Sequence, residues 1–153
     1  MGVAGLTSGV GPRAESADPL VVLYDRDCAF CTWTARQLWS MDREHRLDFV
    51  LLQAAGSSGR PALERAAAEL PLLDALHVVD ERRGLAVAGG QAMLAILNVL
   101  PGGWLFRPWA ALPIVPPLIE GTYRVVARNR HNIGRWLGLD ASTCVAPPVR
   151  RAT

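Results

Sequence analysis

The sequence predicts an α/β fold in which a β-α-β-α-β-β-α core is followed by a helical C-terminal extension. Short β-branched apolar runs alternate with amphipathic stretches of helical period before residue 100. The last two apolar runs of this core are separated by a five-residue polar turn that ends in glycine, which favours an antiparallel hairpin. Beyond residue 100 the pattern is helical and interrupted by proline.

The first two strands are predicted to be parallel neighbours. Leu20–Tyr24 is a continuous apolar run, as expected for a strand buried on both faces, and Leu47–Leu52 is a second such run. Between them, Cys28–Met41 has apolar residues three and four positions apart, the period of an amphipathic helix. A helix in this position is a crossover connection, and crossovers join parallel strands.

The remaining elements follow from turn and stop signals. Glycines and serines before Pro61 indicate a turn, and proline suits the first turn of a helix. Pro101-Gly102-Gly103 ends the last core helix. In chain order the further predictions are a helix at Pro61–Glu69, strands at Ala75–Val79 and Leu85–Ala88, and helices at Gln91–Val99, Trp104–Leu112, Leu118–Arg130 and Asn132–Leu137.

Length and composition predict a single domain. We expect the 153 residues to form one domain at 19–140, between a disordered segment at 1–18 and a tail at 141–153. Half of the residues are hydrophobic, which is enough for a buried core, but no apolar run reaches the ~18 residues of a membrane-spanning helix. All 16 basic residues are arginine, which excludes mechanisms that require lysine, such as Schiff bases.

The net charge of +2 is too small to indicate nucleic-acid binding, but it is unevenly distributed. Residues 121–153 carry six arginines against one acid, a charge of +5. The simplest interpretation is a basic amphipathic helix whose arginines lie in water. The alternative is a docking face for an acidic partner or an anionic membrane surface.

The N-terminal residues lack the basic and apolar regions of a secretory signal, so we expect a cytoplasmic protein. Structural disulfides are rare in the cytoplasm, and three cysteines leave at least one unpaired. These observations favour catalytic or metal-binding thiols. Cys144, in the predicted tail, is expected to be a free thiol.

A Cys-x-x-Cys pair, Cys28 and Cys31, lies where the first strand turns into the first helix. The unpaired N–H groups and the positive dipole end of a helix N-terminus stabilise a thiolate, so we expect the pKa of the Cys28 thiol to be lowered. Cys31 lies one turn further on the same face, within reach for a disulfide and more buried. Cys28 is therefore expected to attack a partner disulfide and Cys31 to resolve the mixed disulfide. Such a pair beside a βαβ pattern is typical of thioredoxin-like proteins.

Two other interpretations of the cysteines stay open. They could be two small buried hydrophobic residues at a helix start. They could also belong to a zinc site, which needs four ligands. The further ligand candidates form no second closely spaced pair; they are Cys144, His45, His77 and His131.

Two aspartates, Asp25 and Asp27, lie just before the cysteine pair. Asp25 could accept the proton of the Cys31 thiol, and Asp27 could cap the helix. Negative charge beside Cys28 opposes the helix dipole, and Arg26 offers a compensating positive charge. Alternatively, both aspartates serve only in the turn and the cap.

The same segment also has the pattern of haloacid-dehalogenase-type phosphatases, in which an apolar strand precedes Asp-x-Asp. Asp25 would then be the nucleophile and Asp27 the acid/base around Mg²⁺. Asp80 and Glu81 would imitate the acidic metal-binding pair. The segment lacks the usual Gly-Thr and the chain has no lysine, so this interpretation is the weaker one.

Tyr24–Cys31 resembles the signature of the DCC family of thiol-disulfide oxidoreductases, named for Asp-x-x-Cys-x-x-Cys. Asp25, Cys28 and Cys31 match its three defining positions. Tyr123–Arg130 closely resembles the family's closing Tyr-x-x-x-Ala-x-Asn-Arg helix. The resemblance extends from about Leu20 to Leu137, and includes Gly90-Gln91-Ala92, which is loosely similar to a Gly-x-x-Ala region.

The resemblance implies a thioredoxin-like fold with a helical C-terminal extension and a redox-active Cys28–Cys31 pair. We expect a thiol-disulfide oxidoreductase with Cys28, Cys31 and Asp25 as catalytic residues. It would need no bound cofactor or metal, and its partners would be a disulfide-containing protein or small molecule and another dithiol. The alternative is a non-catalytic interaction module on the same scaffold.

The sequence departs from these families at several positions. Arg26 stands where the DCC family usually has glycine, and Ala29 where it often has proline. Thioredoxins usually carry a cis-proline just before the third strand, whereas Pro71 lies four residues before Ala75. We therefore expect Val87–Gly90 to face the cysteine pair instead.

The tryptophans and the end of the Tyr123–Arg130 motif are expected to be structural. Trp33 and Trp39 should pack on the first helix. Trp104 and Trp109 should bury against the core, unless Trp109–Ile119 is an exposed apolar patch for a partner. The Asn129-Arg130 pair should cap a helix end, or Arg130 should hold an anion near the cysteines.

Overall fold

In a computed structural model, residues 18–105, 107–139 and 146–147 are described. The predicted N-terminal segment and the tail with Cys144 lie almost wholly outside these residues. Within the described residues one mixed sheet has the strand order β2-β1-β3-β4. The strands are β1 Leu20–Tyr24, β2 Leu47–Leu51, β3 His77–Asp80 and β4 Leu85–Ala88.

The predicted strand pairing is confirmed. β1 and β2 are parallel, with Tyr24 opposite Leu51, so both strands end at the same edge of the sheet. β3 is antiparallel to β1, with His77 opposite Leu23, and it forms the expected hairpin with β4. The end of β1 therefore lies beside the beginning of β3.

The helices are close to the predicted ones in the core. The structure shows a short helix after β2 that the sequence did not predict. The bounds are α1 Ala29–Met41, α2 Leu52–Ala55, α3 Pro61–Glu69, α4 Gly89–Val99, α5 Arg107–Ala110 and α6 Val115–Trp136, with a 3-10 turn at Gly103–Leu105.

The central strand β1 is buried on both faces, as its continuous apolar sequence predicts. Val22 and Tyr24 belong to a core cluster with side chains of α1 and α4. Val21 and Leu23 pack on the other face with side chains of α2 and α3. The sheet is thus covered by helices on both faces, the mixed α/β arrangement of a thioredoxin-like fold.

The helical extension differs from its prediction. One 22-residue helix, α6, replaces the two helices predicted at Leu118–Arg130 and Asn132–Leu137. Pro116 and Pro117 fall in its first turn, where the N–H groups have no intrahelical partner and proline is tolerated. Of the predicted helix at Trp104–Leu112, only α5 and the 3-10 turn form. Among the described residues no helix combines the length and apolar character needed to cross a bilayer.

The tryptophans divide into two groups. Trp33 stacks on Phe30, with ring centroids 6.0 Å apart, and Trp39 packs against the core as predicted. The prediction that Trp104 and Trp109 bury against the core is wrong, since they are 68% and 66% exposed. They lie in the proline-rich segment before α6, in which several other apolar side chains are also exposed.

Candidate active site

The Cys28–Cys31 pair lies at the end of β1, where α1 begins. Cys28 is the N-cap residue of α1, and its Sγ accepts a hydrogen bond from the backbone N–H of Cys31 at 3.2 Å. The two cysteines form a disulfide, with Cα atoms 5.2 Å apart. The predicted capping role of Asp27 is therefore wrong, because Cys28 occupies the N-cap position itself.

The burial of the two cysteines is the reverse of the prediction. Cys28 is only 2% exposed, whereas Cys31 is half-buried. Cys31 lies one turn into α1, on the helix face that, together with α6, lines a groove. The expectation that Cys31 is the more buried cysteine is wrong in this structure.

This cavity, which we call the α1–α6 groove, has a volume of about 130 Å³. Its walls are the end of β1, α1 from Phe30 to Leu38, the segment at residues 72–76 before β3, and α6, with Leu52 of α2 and Met93 of α4. The lining is mostly apolar, and it includes one acidic residue, Asp25, and one basic residue, Arg130. Prominent apolar members are Phe30, Leu72, Leu73, Met93 and Val126.

The segment that faces the cysteines differs from the one predicted. Leu72, Leu73 and Leu76 share the groove with Cys31, whereas Val87–Gly90 is not part of the lining. The antiparallel pairing of β1 with β3 explains this, because it places the residues before His77 beside the end of β1.

Asp25 shares the groove with Cys31, as the proposed proton transfer requires. Its Oδ1 accepts hydrogen bonds from Gln53 Nε2 at 2.7 Å and from the backbone N–H of Asp27 at 2.9 Å. Asp27 itself points to solvent, with a side chain 75% exposed, and lies 3.8 Å from Arg26 Nε. The positive charge of Arg26 therefore compensates Asp27 at the surface.

Gln53 is a site residue that the sequence reasoning missed. It lies on α2, directly after β2, and reaches Asp25 because β1 and β2 are parallel and end at one edge. A signal was present: a polar side chain follows each of two strands that were predicted to be parallel. Such side chains meet at the carboxyl edge of a sheet.

The Tyr123–Arg130 motif attaches α6 to the segment at residues 72–76, so that two walls of the groove are joined. Tyr123 Oη accepts a hydrogen bond from the backbone N–H of Leu76 at 2.5 Å, and Arg130 Nη1 donates to the carbonyl oxygen of Leu73 at 3.1 Å. Burial raises the pKa of Tyr123 above its usual value, so its hydroxyl stays protonated at neutral pH. The predicted cap by Asn129-Arg130 is wrong, because both residues lie inside α6 and Asn129 bonds the Val125 carbonyl.

A second contact fixes the beginning of α6 to α4. Glu120 Oε2 accepts a hydrogen bond from the backbone N–H of Gly90 at 2.9 Å, at the N-terminus of α4. A Cβ atom on Gly90 would lie 2.8 Å from Glu120 Cα, closer than real side chains approach. Glycine at this position therefore lets the two helices meet.

The alternative sites receive no support from this geometry. Asp80 is the last residue of β3 and Glu81 follows it, at the opposite end of the sheet from Asp25, and Glu81 forms an ion pair with Arg60. They cannot act as the acidic pair of an Asp-x-Asp phosphatase. In the described part of the chain no group of three or more histidine, cysteine, aspartate or glutamate side chains is placed to hold a metal ion.

Comparison with known proteins agrees with the geometry of the cysteine pair. The profile of the DCC1-like thiol-disulfide oxidoreductase family matches residues 22–136. Neither the curated proteins nor the solved structures include a significant match. The matched region contains the Cys28–Cys31 disulfide, the aspartate at its side and the helix that closes the groove. The chain therefore belongs to the family of DCC1-like thiol-disulfide oxidoreductases.

Proposed function

We propose that this protein exchanges electrons with dithiols and disulfides through Cys28 and Cys31. The observation that carries the proposal is the position of Cys28 at the N-cap of α1, with its Sγ bonded to the N–H of Cys31. That N–H and the helix dipole stabilise negative charge on Cys28 when the disulfide is opened. A thiolate stabilised in this way is what reversible exchange requires.

We assign the accompanying proton transfer to Asp25. The carboxylate lines the same groove as Cys31, and its hydrogen bonds to Gln53 and to Asp27 N–H hold it in place. When the disulfide is reduced, Cys31 ends as a thiol and needs a proton. When it forms, Asp25 accepts that proton.

The partners we propose are a disulfide-containing protein or small molecule on one side and a second dithiol on the other, in the cytoplasm. The reaction transfers two electrons and needs only thiols, so no bound cofactor takes part. The groove beside Cys31 is where a partner would lie.

The test is the reduction potential of the pair. The protein is equilibrated in graded dithiothreitol buffers and quenched with an alkylating reagent, and modified cysteines are counted by mass spectrometry. We expect a reversible two-electron transition confined to Cys28 and Cys31, between roughly −270 and −120 mV, the range of characterised exchangers. Cys28→Ser should abolish it. If the alkylation of Cys28 and Cys31 does not change across the series, the proposal is contradicted.

A second candidate is a non-catalytic interaction module. It is favoured by the apolar side chains exposed before and at the start of α6, such as Trp109, Ile114 and Leu118. In this case alkylation of the cysteines should leave partner binding unchanged, whereas it should abolish disulfide exchange.

A further inference from the structure

We propose that a partner thiol meets the protein at Cys31, inside the α1–α6 groove, and that Cys28 is the thiolate that leaves. This order is the reverse of the one that the sequence predicts. The inference rests on the proposed function, since it concerns the same exchange, and it identifies the sulfur attacked and the kind of partner that reaches it.

The exposure of the two cysteines favours attack by a partner thiolate at Cys31. A thiolate can open a disulfide only at a sulfur that it can approach, and access decides which of the two is attacked. Cys28 is 2% exposed, while Cys31 is half-buried and lines the groove. A partner that enters the groove therefore encounters Cys31.

The leaving group favours the same order. Attack on Cys31 expels Cys28. At the start of α1, Cys28 Sγ already accepts a hydrogen bond of 3.2 Å from the backbone N–H of Cys31. The charge that develops on Cys28 is stabilised by that N–H and by the helix dipole. Thiols whose thiolates are stabilised leave faster.

The reaction balances with a dithiol as reductant. The first thiolate of the dithiol attacks Cys31 Sγ, a bond forms between the two sulfurs, and Cys28 leaves with the electron pair of the broken disulfide. The second thiolate of the dithiol attacks the sulfur bound to Cys31 and releases Cys31, which takes up a proton. The dithiol is oxidised to a disulfide by two electrons and the protein pair is reduced by two. Asp25, on the groove wall, is placed to exchange the protons.

The volume and the lining of the groove also indicate the size and chemistry of the partner. Its volume of about 130 Å³ is close to the roughly 150 Å³ of an engineered protein cavity that binds benzene. Apolar side chains dominate its lining, and the cation of Arg130 is bonded to the Leu73 carbonyl. The partner is therefore a thiol carried on a small apolar group, of the size of one aromatic ring or one branched aliphatic chain.

The first experiment locates the mixed disulfide directly. Oxidised protein in a Cys144→Ser background, which leaves only the pair, is mixed with benzyl mercaptan and quenched with acid at early times. Tandem mass spectrometry then assigns the benzylthio adduct to one cysteine. We expect at least tenfold more adduct on Cys31 than on Cys28. Equal adducts, or an excess on Cys28, would overturn the inference.

A second experiment tests the groove with matched variants. Leu73 and Leu85 are 59% and 58% exposed, but only Leu73 lines the groove, while Leu85 lies on β4. Leu73→Asp should slow the reaction with benzyl mercaptan at least fivefold, and Leu85→Asp should leave it unchanged. Equal rates in both variants would exclude the groove as the route of entry. Circular dichroism checks that both variants are folded.

The two proposals fail in different ways. If the pair shows no reversible two-electron transition, the proposed exchange function is wrong. If the transition is present but the adduct lies on Cys28, the exchange function stands and only the order of attack is wrong.

Discussion

The hydroxyl of Tyr123 and the backbone N–H of Leu76 are joined by a hydrogen bond of 2.5 Å, although the two residues are 47 positions apart in the chain. Leu76 lies just before β3, and Tyr123 lies in α6. The bond therefore fixes the C-terminal helix to the segment that faces Cys31. It gives a physical reason for the tyrosine in the Tyr-x-x-x-Ala-x-Asn-Arg motif.

Replacing Tyr123 by Phe should destabilise the protein. The ring still fills its place, but the part-buried N–H of Leu76 loses its acceptor, which costs about 1–3 kcal/mol. Urea unfolding followed by fluorescence measures the difference. Thr122→Ala, an exposed change on the same helix, is the control and should stay within about 0.5 kcal/mol of the wild type. If Tyr123→Phe unfolds at the wild-type urea concentration, the bond contributes nothing.

Gly90→Ala should weaken the packing of α6 on α4. The added Cβ would lie 2.8 Å from Glu120 Cα, a backbone atom that cannot move without the helix. We expect a loss of about 1–3 kcal/mol in the free energy of unfolding. Gly121→Ala is the matched control, because open space surrounds its position in α6. That variant should gain about 0.5–1 kcal/mol, since alanine favours the helix. Similar effects of the two substitutions would contradict the close approach at Gly90.

Asp25→Asn should slow disulfide exchange. Asparagine keeps an oxygen that can accept from Gln53 and from Asp27 N–H, but it cannot take the proton of the Cys31 thiol. Because acid–base catalysis by one side chain contributes about 10²–10⁴-fold, we expect at least a tenfold lower rate constant. The readout is the rate constant of disulfide exchange at a fixed pH.

The control for this prediction is Asp27→Asn. Asp27 carries the same charge two residues away, but its side chain is 75% exposed and pairs with Arg26. Its exchange rate should change less than twofold. Equal losses in both variants would mean that the charge near the pair matters and a proton acceptor does not.

Because His77 is buried, we expect the protein to become less stable in mild acid. The residue is 2% exposed, and desolvation lowers the pKa of its imidazole, while Ala75 and Asp74 oppose this shift. A histidine whose pKa is lower in the folded protein contributes stability above its unfolded value of 6.5, and this stability is lost as the pH falls below it. The urea midpoint should therefore decrease from pH 8 to pH 5. His77→Gln should show a smaller decrease over the same interval; a parallel pH dependence would rule out His77 as the cause.

Local patterns predicted most of the core. The apolar run at Leu20–Tyr24 and the Cys-x-x-Cys pair at the following helix are encoded within a few residues, so periodicity and helix-end chemistry find them. The parallel and antiparallel pairing followed from the lengths of the connections. The structure confirms these elements to within one or two residues at most ends.

What the sequence could not predict depends on contacts between distant segments. The groove beside Cys31 depends on where α6 lies, and this helix passes close to the beginning of α1. Gly134 is buried there, and a Cβ on it would lie 3.8 Å from Phe30 Cβ. Nothing near Cys31 in the chain records this neighbour. The continuity of α6 was also missed, because Pro116 and Pro117 are compatible with a first turn as well as with a break.

The order of synthesis has a consequence for the cysteine pair. Cys28 and Cys31 enter the chain early, and the strands that support them are complete by Ala88, but Tyr123 and Arg130 are made much later. Until α6 has been synthesised, the groove lacks one wall and Cys31 lies on an open face of α1. A nascent chain of this protein therefore carries a complete Cys-x-x-Cys motif before the groove beside Cys31 is complete.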